Sequence, residues 1–254
     1  MSFDSTAFHI LWPAFAAGLL VAATHVPLGI QVLNRGIVFI DLAIAQIAAL
    51  GVILADALGW GESMLAVQAA ALVAALAGAA LLRWTERRWP EVQEALIGVA
   101  FVVASSAAIL LLARDPHGGE SLKDLLSGQI LWVTPLHLGV AALVSAAIGA
   151  VWLLTRRNPG RTGFYGLFAV AVTLSVQLVG LLLVFASLVI PALATYYSRR
   201  HRHAKAYAVA IVSYAAGLAL SLAADLPSGA AIVCTMALVG AAAALAFREP
   251  RPHP

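Results

Sequence analysis

The chain has 254 residues, of which 62% are hydrophobic and 11% are charged, and its formal net charge is +3. A soluble domain is about 45–50% apolar and about 25% charged, so this composition excludes an ordinary soluble protein and indicates an integral membrane protein. The positive charges lie between long apolar runs, where they orient a membrane protein, and they do not indicate a nucleic-acid partner.

Apolar runs that are long enough to cross the hydrocarbon core follow one another along the chain. They lie near residues 8–28, 36–58, 63–82, 93–113, 135–155, 205–223 and 227–247. The run 163–197 is too long for one ordinary span, so we predict that it crosses twice and turns near residues 177–180. The sequence therefore predicts an all-α, polytopic transmembrane helical bundle of about nine spans, in a single domain that covers residues 1–254.

Basic residues between the runs predict the orientation of the chain. One side carries Arg35, the Arg83/Arg87/Arg88 loop, Arg156, Arg157 and Arg161, the run 199–205, and Arg248 and Arg251. Every Lys and Arg falls on that side except Arg114 and Lys123. By the positive-inside rule, that side is cytoplasmic, which places the N-terminus outside and the C-terminus inside a plasma (inner) membrane.

Asp41 lies in the second predicted span, "GIVFIDLAIAQIAALGVILADALGW" (36–60). A charged side chain deep in a bilayer costs at least about 2.5 kcal/mol unless a partner or water compensates it. Two interpretations remain open from the residues alone. Asp41 lines a path for a cation, or it pairs with Arg35 or caps the helix backbone near the inner interface.

The sequence lacks the common motifs of catalysis and nucleotide binding. It contains no H-E-x-x-H, no paired Cys/His spacing, and no glycine-rich phosphate loop, because neither Lys123 nor Lys205 follows a glycine. We therefore expect no enzyme activity and no bound cofactor in this chain. Any ATP hydrolysis belongs to a partner subunit.

Five stretches, in order, resemble the membrane permeases of manganese, zinc and iron ATP-binding-cassette importers. They are "PLGIQVLNRGIVFIDLAIAQIAALGV" (27–52), "EALIG" (94–98), "LLSGQILWVT" (125–134), "LVGLLLVFASLVIPALAT" (178–195) and "LSLAADLPSGAAIV" (220–233). The resemblance implies a permease dimer with separate cytoplasmic ATP-binding subunits and an extracytoplasmic metal-binding protein that delivers a divalent metal ion.

The resemblance also implies residues of the metal path. The family commonly places a His four residues after the Asp of the second span, whereas this chain has Ala45 there and a polar Gln46 at the next position. On an ideal helix Gln46 lies about 140° from Asp41, and a bulge is needed to realign the two. We predict a path that involves Asp41, Gln46 and Asp225. For Asp225, which the family matches with an outer acid, capping of the helix that follows is the equal alternative.

The ATPase docking surface departs from the family, because the cytoplasmic segment "RRNPGRTG" (156–163) is short. We predict that the ATP-binding subunit docks on the loop 83–98 instead, through Trp84, Trp89, Glu91 and Glu94. An ordinary belt of interfacial tryptophans is the alternative explanation.

Two other functions also stay open, namely a secondary cation carrier and a non-transporting membrane scaffold. The ligand types do not distinguish zinc, manganese and iron.

Overall fold

The structure is a computed structural model, and it describes residues 5–112, 130–155, 160–198 and 200–247. Within these ranges it contains nine α-helices, two short 3-10 helices (Pro90–Val92 and Ile130–Trp132) and no strand. The helices are α1 (Ser5–Arg35), α2 (Ile40–Ala57), α3 (Met64–Arg88), α4 (Gln93–Leu112), α5 (Pro135–Leu154), α6 (Gly160–Val179), α7 (Leu181–Ala194), α8 (Arg202–Ala224) and α9 (Ser228–Ala246). The all-α prediction is confirmed.

Seven of the described helices are long and apolar enough to cross a membrane. They comprise α1 to α5, α8 and α9, and the apolar parts of α6 and α7 are shorter. A polytopic helical membrane protein is therefore confirmed. The predicted number of about nine spans and the predicted sides of the two termini stay predictions.

The long apolar run 163–197 breaks within the segment where the sequence predicted a turn. Helix α6 ends at Val179 and α7 begins at Leu181. The residue between them, Gly180, has a φ of 82°, which a side chain disfavours and glycine permits. Helix α7 has 14 residues and is therefore about 21 Å long, less than the hydrocarbon thickness of about 30 Å. The break is observed, and the double crossing stays a prediction.

The chain divides into two compact units that alternate along the sequence. The first unit draws on residues 1–34, 127–145 and 178–254, and the second on residues 35–126 and 146–177. In the first unit α7, α8 and α9 pack on one another, and in the second unit α2 packs against both α3 and α4. The single domain predicted for residues 1–254 stays a prediction.

Helices α2 and α3 approach each other closely through small residues. A Cβ atom on Gly51 of α2 would lie 2.7 Å from the carbonyl oxygen of Ala70 and 2.7 Å from the Cβ of Ala74, both on α3. Small residues at helix contacts allow such short backbone separations, which replace the missing hydrophobic driving force inside a bilayer. This packing fixes α2, the helix that carries Asp41, within the second unit.

A buried polar network joins the end of α3 to the start of α4. The hydroxyl of Thr85 shares its one proton between two acceptors, the Leu82 carbonyl at 2.9 Å and Gln93 Oε1 at 3.0 Å. Gln93 Nε2 in turn donates to the same Leu82 carbonyl at 2.9 Å. Because both side chains are buried and bonded, the first turn of α4 has a defined position. The next residue in that turn is Glu94.

Candidate functional site

Asp41 lies in the first turn of α2, and its side chain is 0% exposed. The backbone N–H groups of Asp41 and Leu42 lie near the carboxylate. Neither carboxylate oxygen, however, makes a hydrogen bond. The helix dipole favours a negative charge at this end of α2, but it contributes only about 0.3–2 kcal/mol. Asp41 is therefore a buried carboxylate whose charge is only partly compensated.

Arg35 does not compensate this charge. Its guanidinium carbon lies 4.1 Å from the ring centroid of Phe164, which is a cation–π arrangement. The two oxygens of Asp41 remain without a hydrogen-bonding partner. The structure therefore does not show the pairing of Asp41 with Arg35. It does place Asp41 at the start of a helix, as the other part of that alternative proposed.

Glu94 reaches the same helix start from α4. Its Oε1 atom accepts a hydrogen bond of 3.3 Å from the backbone N–H of Phe39, the N-cap residue of α2. Phe39 has no side-chain cap of its own, so Glu94 supplies one from 55 residues away. The other oxygen, Oε2, is buried and has no partner. Glu94 therefore lies at the same helix start as Asp41, which is two residues from the backbone N–H that Glu94 accepts.

Gln46 is buried on α2, with 8% of its surface exposed. Helix α2 is α-helical at every residue from Ile40 to Ala57, so no bulge rotates Gln46 toward Asp41. The angle between the two residues therefore stays near the ideal value of about 140°. The structure does not bring Gln46 and Asp41 onto one helix face.

Asp225 is exposed and ends α8 in a left-handed conformation, with a φ of 50° and a ψ of 47°. Its backbone N–H donates to the Ser221 carbonyl. Helix α9 begins at Ser228 after Pro227, which is its N-cap residue. The alternative in which Asp225 caps the following helix is therefore wrong, because Asp225 caps the preceding one. Asp is among the side chains that tolerate this conformation best.

The four predicted docking residues differ in their exposure to solvent. Trp84 and Trp89 are 54% and 41% exposed, and their rings pack edge to face with centroids 5.3 Å apart. Glu91 is exposed as well, whereas Glu94 is half-buried and bonded to Phe39. The docking role stays a prediction, and the structure gives Glu94 a different environment from the other three residues.

His25 of α1, in the first unit, is a buried polar residue that the sequence analysis did not single out. It is 0% exposed, and its Nδ1 lies 3.1 Å from the Val21 carbonyl and 3.0 Å from the Thr24 hydroxyl. Only a protonated nitrogen bonds a carbonyl, so in the neutral ring Nδ1 carries the proton and Nε2 carries the lone pair. Nε2 is buried without a partner. A histidine inside an apolar run was the available signal.

Within the described ranges, no three side chains of His, Cys, Asp and Glu come together as a metal site. A closed structural site of the zinc type needs four such ligands. At the start of α2, the Phe39–Glu94 hydrogen bond brings the side chain of Glu94 to the helix end that carries Asp41. Such a pair can hold a cation weakly, with water in the remaining positions.

Comparison with known proteins identifies the family. The sequence matches the ABC 3 transport family over residues 7–159 and 160–246. The chain belongs to this family. An uncharacterized membrane protein of Synechocystis is 28% identical over 268 residues, a match that covers 95% of this chain and 92% of that protein.

Two solved structures share the fold. PsaBC from Streptococcus pneumoniae, in complex with a Fab, superposes with a TM-score of 0.73 at 20% identity and covers 93% of this chain and 91% of that one. An inward-facing structure described as a metal-chelate type ABC transporter superposes with a TM-score of 0.58 at 14% identity, over 97% of this chain and 80% of that one.

Membership of the ABC 3 family confirms the recognition that the five sequence stretches suggested. The chain is a multi-pass permease subunit of an ABC importer in the inner (plasma) membrane. Permeases of this kind work with an ATP-binding subunit and a substrate-binding protein.

Proposed function

We propose that this permease carries a free, unchelated divalent metal ion, namely zinc, manganese or iron, through the membrane. The observation that carries the proposal is Asp41, a fully buried carboxylate in a membrane-spanning helix whose oxygens have no partner. A passing cation and its water compensate such a charge, which explains why the costly position is kept. A large neutral chelate would offer it no comparable compensation.

The other predicted path residues contribute at different positions. Asp225 is exposed at the predicted external end of α8, where an acid raises the local concentration of cations. Gln46 is a neutral amide that lies off the face of Asp41, so it is the weaker ligand. Few ligands at each position suit transport, because an ion that must move onward cannot be bound by a complete set.

The partners of the permease follow from the same proposal. A separate cytoplasmic subunit hydrolyses ATP, an extracytoplasmic metal-binding protein delivers the ion, and two permease chains form a dimer. The permease itself binds no resident cofactor and catalyses no reaction. Trp84, Trp89 and Glu91 are exposed and remain available for contact with the ATP-binding subunit.

Metal uptake by Asp41 variants tests the proposal. Asp41→Asn keeps the size of the side chain and removes its charge, so we expect normal protein in the membrane and uptake of Mn²⁺, Zn²⁺ or Fe²⁺ that falls several-fold per permease molecule. Gln46→Ala is the matched control on the same helix and reduces uptake less. Unchanged uptake in Asp41→Asn at normal expression would exclude Asp41 from the path.

The two other function classes give different results in the same cells. A secondary carrier keeps its uptake when the ATP-binding partner is deleted, whereas an importer subunit loses it. A non-transporting scaffold shows no metal uptake with or without that partner. Loss of uptake on deletion is the result that we expect.

A further inference from the structure

We propose that Glu94 and Asp41 together form a two-carboxylate binding site for the divalent cation at the start of α2. The inference rests on the proposed function and adds a residue to it. Glu94 was expected at a docking surface, together with the exposed Glu91. The structure separates these two glutamates and directs Glu94 toward the helix start that holds Asp41.

The geometry places both acidic residues at the same helix start. Glu94 Oε1 accepts the N–H of Phe39 at 3.3 Å, and Asp41 lies two residues further along the same helix start. The network of Thr85 and Gln93 fixes the turn of α4 from which Glu94 extends. Three oxygens then remain buried without a partner, namely both oxygens of Asp41 and Oε2 of Glu94.

Electrostatics favours a compensating positive charge, a cation or a proton, at this place. Two carboxylates that interact repel each other when both are ionised, and burial strengthens that repulsion because water no longer screens it. The start of α2 offers the equivalent of only about half a positive charge. Arg35, the nearby cation in sequence, stacks on Phe164 instead. A doubly charged cation supplies the positive charge that Arg35 and the helix start do not provide.

The ligand chemistry selects the class of cation. Carboxylate oxygens with water in the open positions suit Mn²⁺ and Fe²⁺ and also bind Zn²⁺, whereas thiolate or imidazole sets would restrict the choice. Asp41 is completely buried and unpaired, so the pair differs from an ordinary solvated acidic cluster. The predicted orientation places α2's first turn on the cytoplasmic side, so an imported ion meets this site late in its passage.

The binding experiment uses the full-length permease in lipid nanodiscs and Mn²⁺ as the probe. Thermal unfolding is followed with a chelator and with Mn²⁺ in wild type, Glu94→Gln, Asp41→Asn and the matched control Glu91→Gln. A ligand that binds the folded state raises its melting temperature, so we expect a rise of several degrees in wild type and Glu91→Gln. Glu94→Gln keeps the acceptor for Phe39 and loses one charged ligand, which weakens Mn²⁺ binding about tenfold.

The metal-free samples provide a second readout. If repulsion is present, Glu94→Gln melts at a higher temperature than wild type in chelator, because only one of the two carboxylates is left. If Mn²⁺ shifts Glu94→Gln as much as wild type, Glu94 is not a ligand and the inference is wrong. If Mn²⁺ shifts none of the proteins, a shared proton holds the carboxylates together, and the inference is wrong as well.

Uptake by the complete importer separates this inference from the proposed function. We expect Glu94→Gln to lower uptake per permease molecule several-fold, and Glu91→Gln, at a predicted docking residue, reports whether docking of the ATP-binding subunit is affected instead. If Asp41→Asn loses metal uptake and Glu94→Gln transports normally, the proposed metal path through Asp41 is retained and the two-carboxylate site is refuted. Equal losses in Glu91→Gln and Glu94→Gln point to docking instead, and absence of metal uptake in wild type removes the proposed function itself.

Discussion

Buried polar side chains in this permease differ in how their polarity is compensated. Thr85 and Gln93 bond to each other and to the Leu82 carbonyl, so burial leaves them satisfied. Asp41 and His25 are fully buried and keep atoms without partners. A satisfied buried group stabilises a defined structure, whereas an unsatisfied one destabilises it and therefore calls for a function or an additional partner.

His25 provides a prediction at the scale of a residue. His25→Leu replaces the imidazole by an apolar group of similar size and removes the buried, unpartnered Nε2. An unsatisfied buried polar atom costs about 1–3 kcal/mol, so we expect the melting temperature of the purified permease to stay the same or to rise. Thermal unfolding in detergent measures it. A clear fall would mean that Nε2 has a partner in the assembled protein.

Helix positions could be predicted from hydropathy, and helix ends could not. The apolar run predicted at 63–82 corresponds to α3, Met64–Arg88. This helix extends beyond the predicted run through Arg83, Arg87 and Arg88. Hydropathy reports which residues lie in hydrocarbon, whereas a helix ends where its backbone bonding stops, here at Trp89 before Pro90. The break at Gly180 was predictable because the apolar run exceeded one span.

The candidate site was only partly predictable for a related reason. Asp41 stands out because it is a charge in an apolar run, which is a local signal. The hydrogen bond from Phe39 to Glu94 joins residues 55 positions apart, and no local pattern reports such a contact. For Asp225, capping of α9 was one of two open alternatives because Pro227, two residues further on, suggested a helix start nearby, whereas the helix begins only at Ser228.

The contact of α2 with α3 provides a prediction at the scale of an element. Gly51→Ala places a Cβ 2.7 Å from the Ala70 carbonyl oxygen, so α2 and α3 must move apart. We expect a destabilisation of about 1–3 kcal/mol, together with reduced metal uptake, because α2 carries Asp41. Gly98→Ala on α4 is the matched control, because its added Cβ meets nothing within 4 Å.

The control has its own expected result. Alanine is the better helix former, so Gly98→Ala should leave stability unchanged or raise it by up to about 1 kcal/mol. Denaturation of both variants in the same detergent gives the comparison. Equal stability of Gly51→Ala and Gly98→Ala would show that the α2–α3 contact is looser in the membrane than in the structure.

At the scale of the whole molecule, charge asymmetry connects the sequence to the direction of transport. Arg83, Arg87 and Arg88 lie near the end of α3, and Arg202 and Lys205 lie in the first turn of α8, while Asp56 and Glu62 lie near the connection of α2 and α3. Basic loops stay on the cytoplasmic side during insertion. In this predicted orientation, an acidic external face attracts cations, and the proposed site of Asp41 and Glu94 lies toward the opposite side.

This orientation gives the last prediction, which fusions of a reporter protein can check. A reporter fused after Arg202 should be cytoplasmic, because it follows the most basic segment of the chain, and one fused after Gly61, between α2 and α3, should be external. Alkaline phosphatase is active only outside the cytoplasm, and green fluorescent protein folds well only inside, so the two reporters must give opposite signals at each site. Phosphatase activity after Arg202 would invert the topology. Asp41 and Glu94 would then lie at the entrance of the path, where an imported ion binds first.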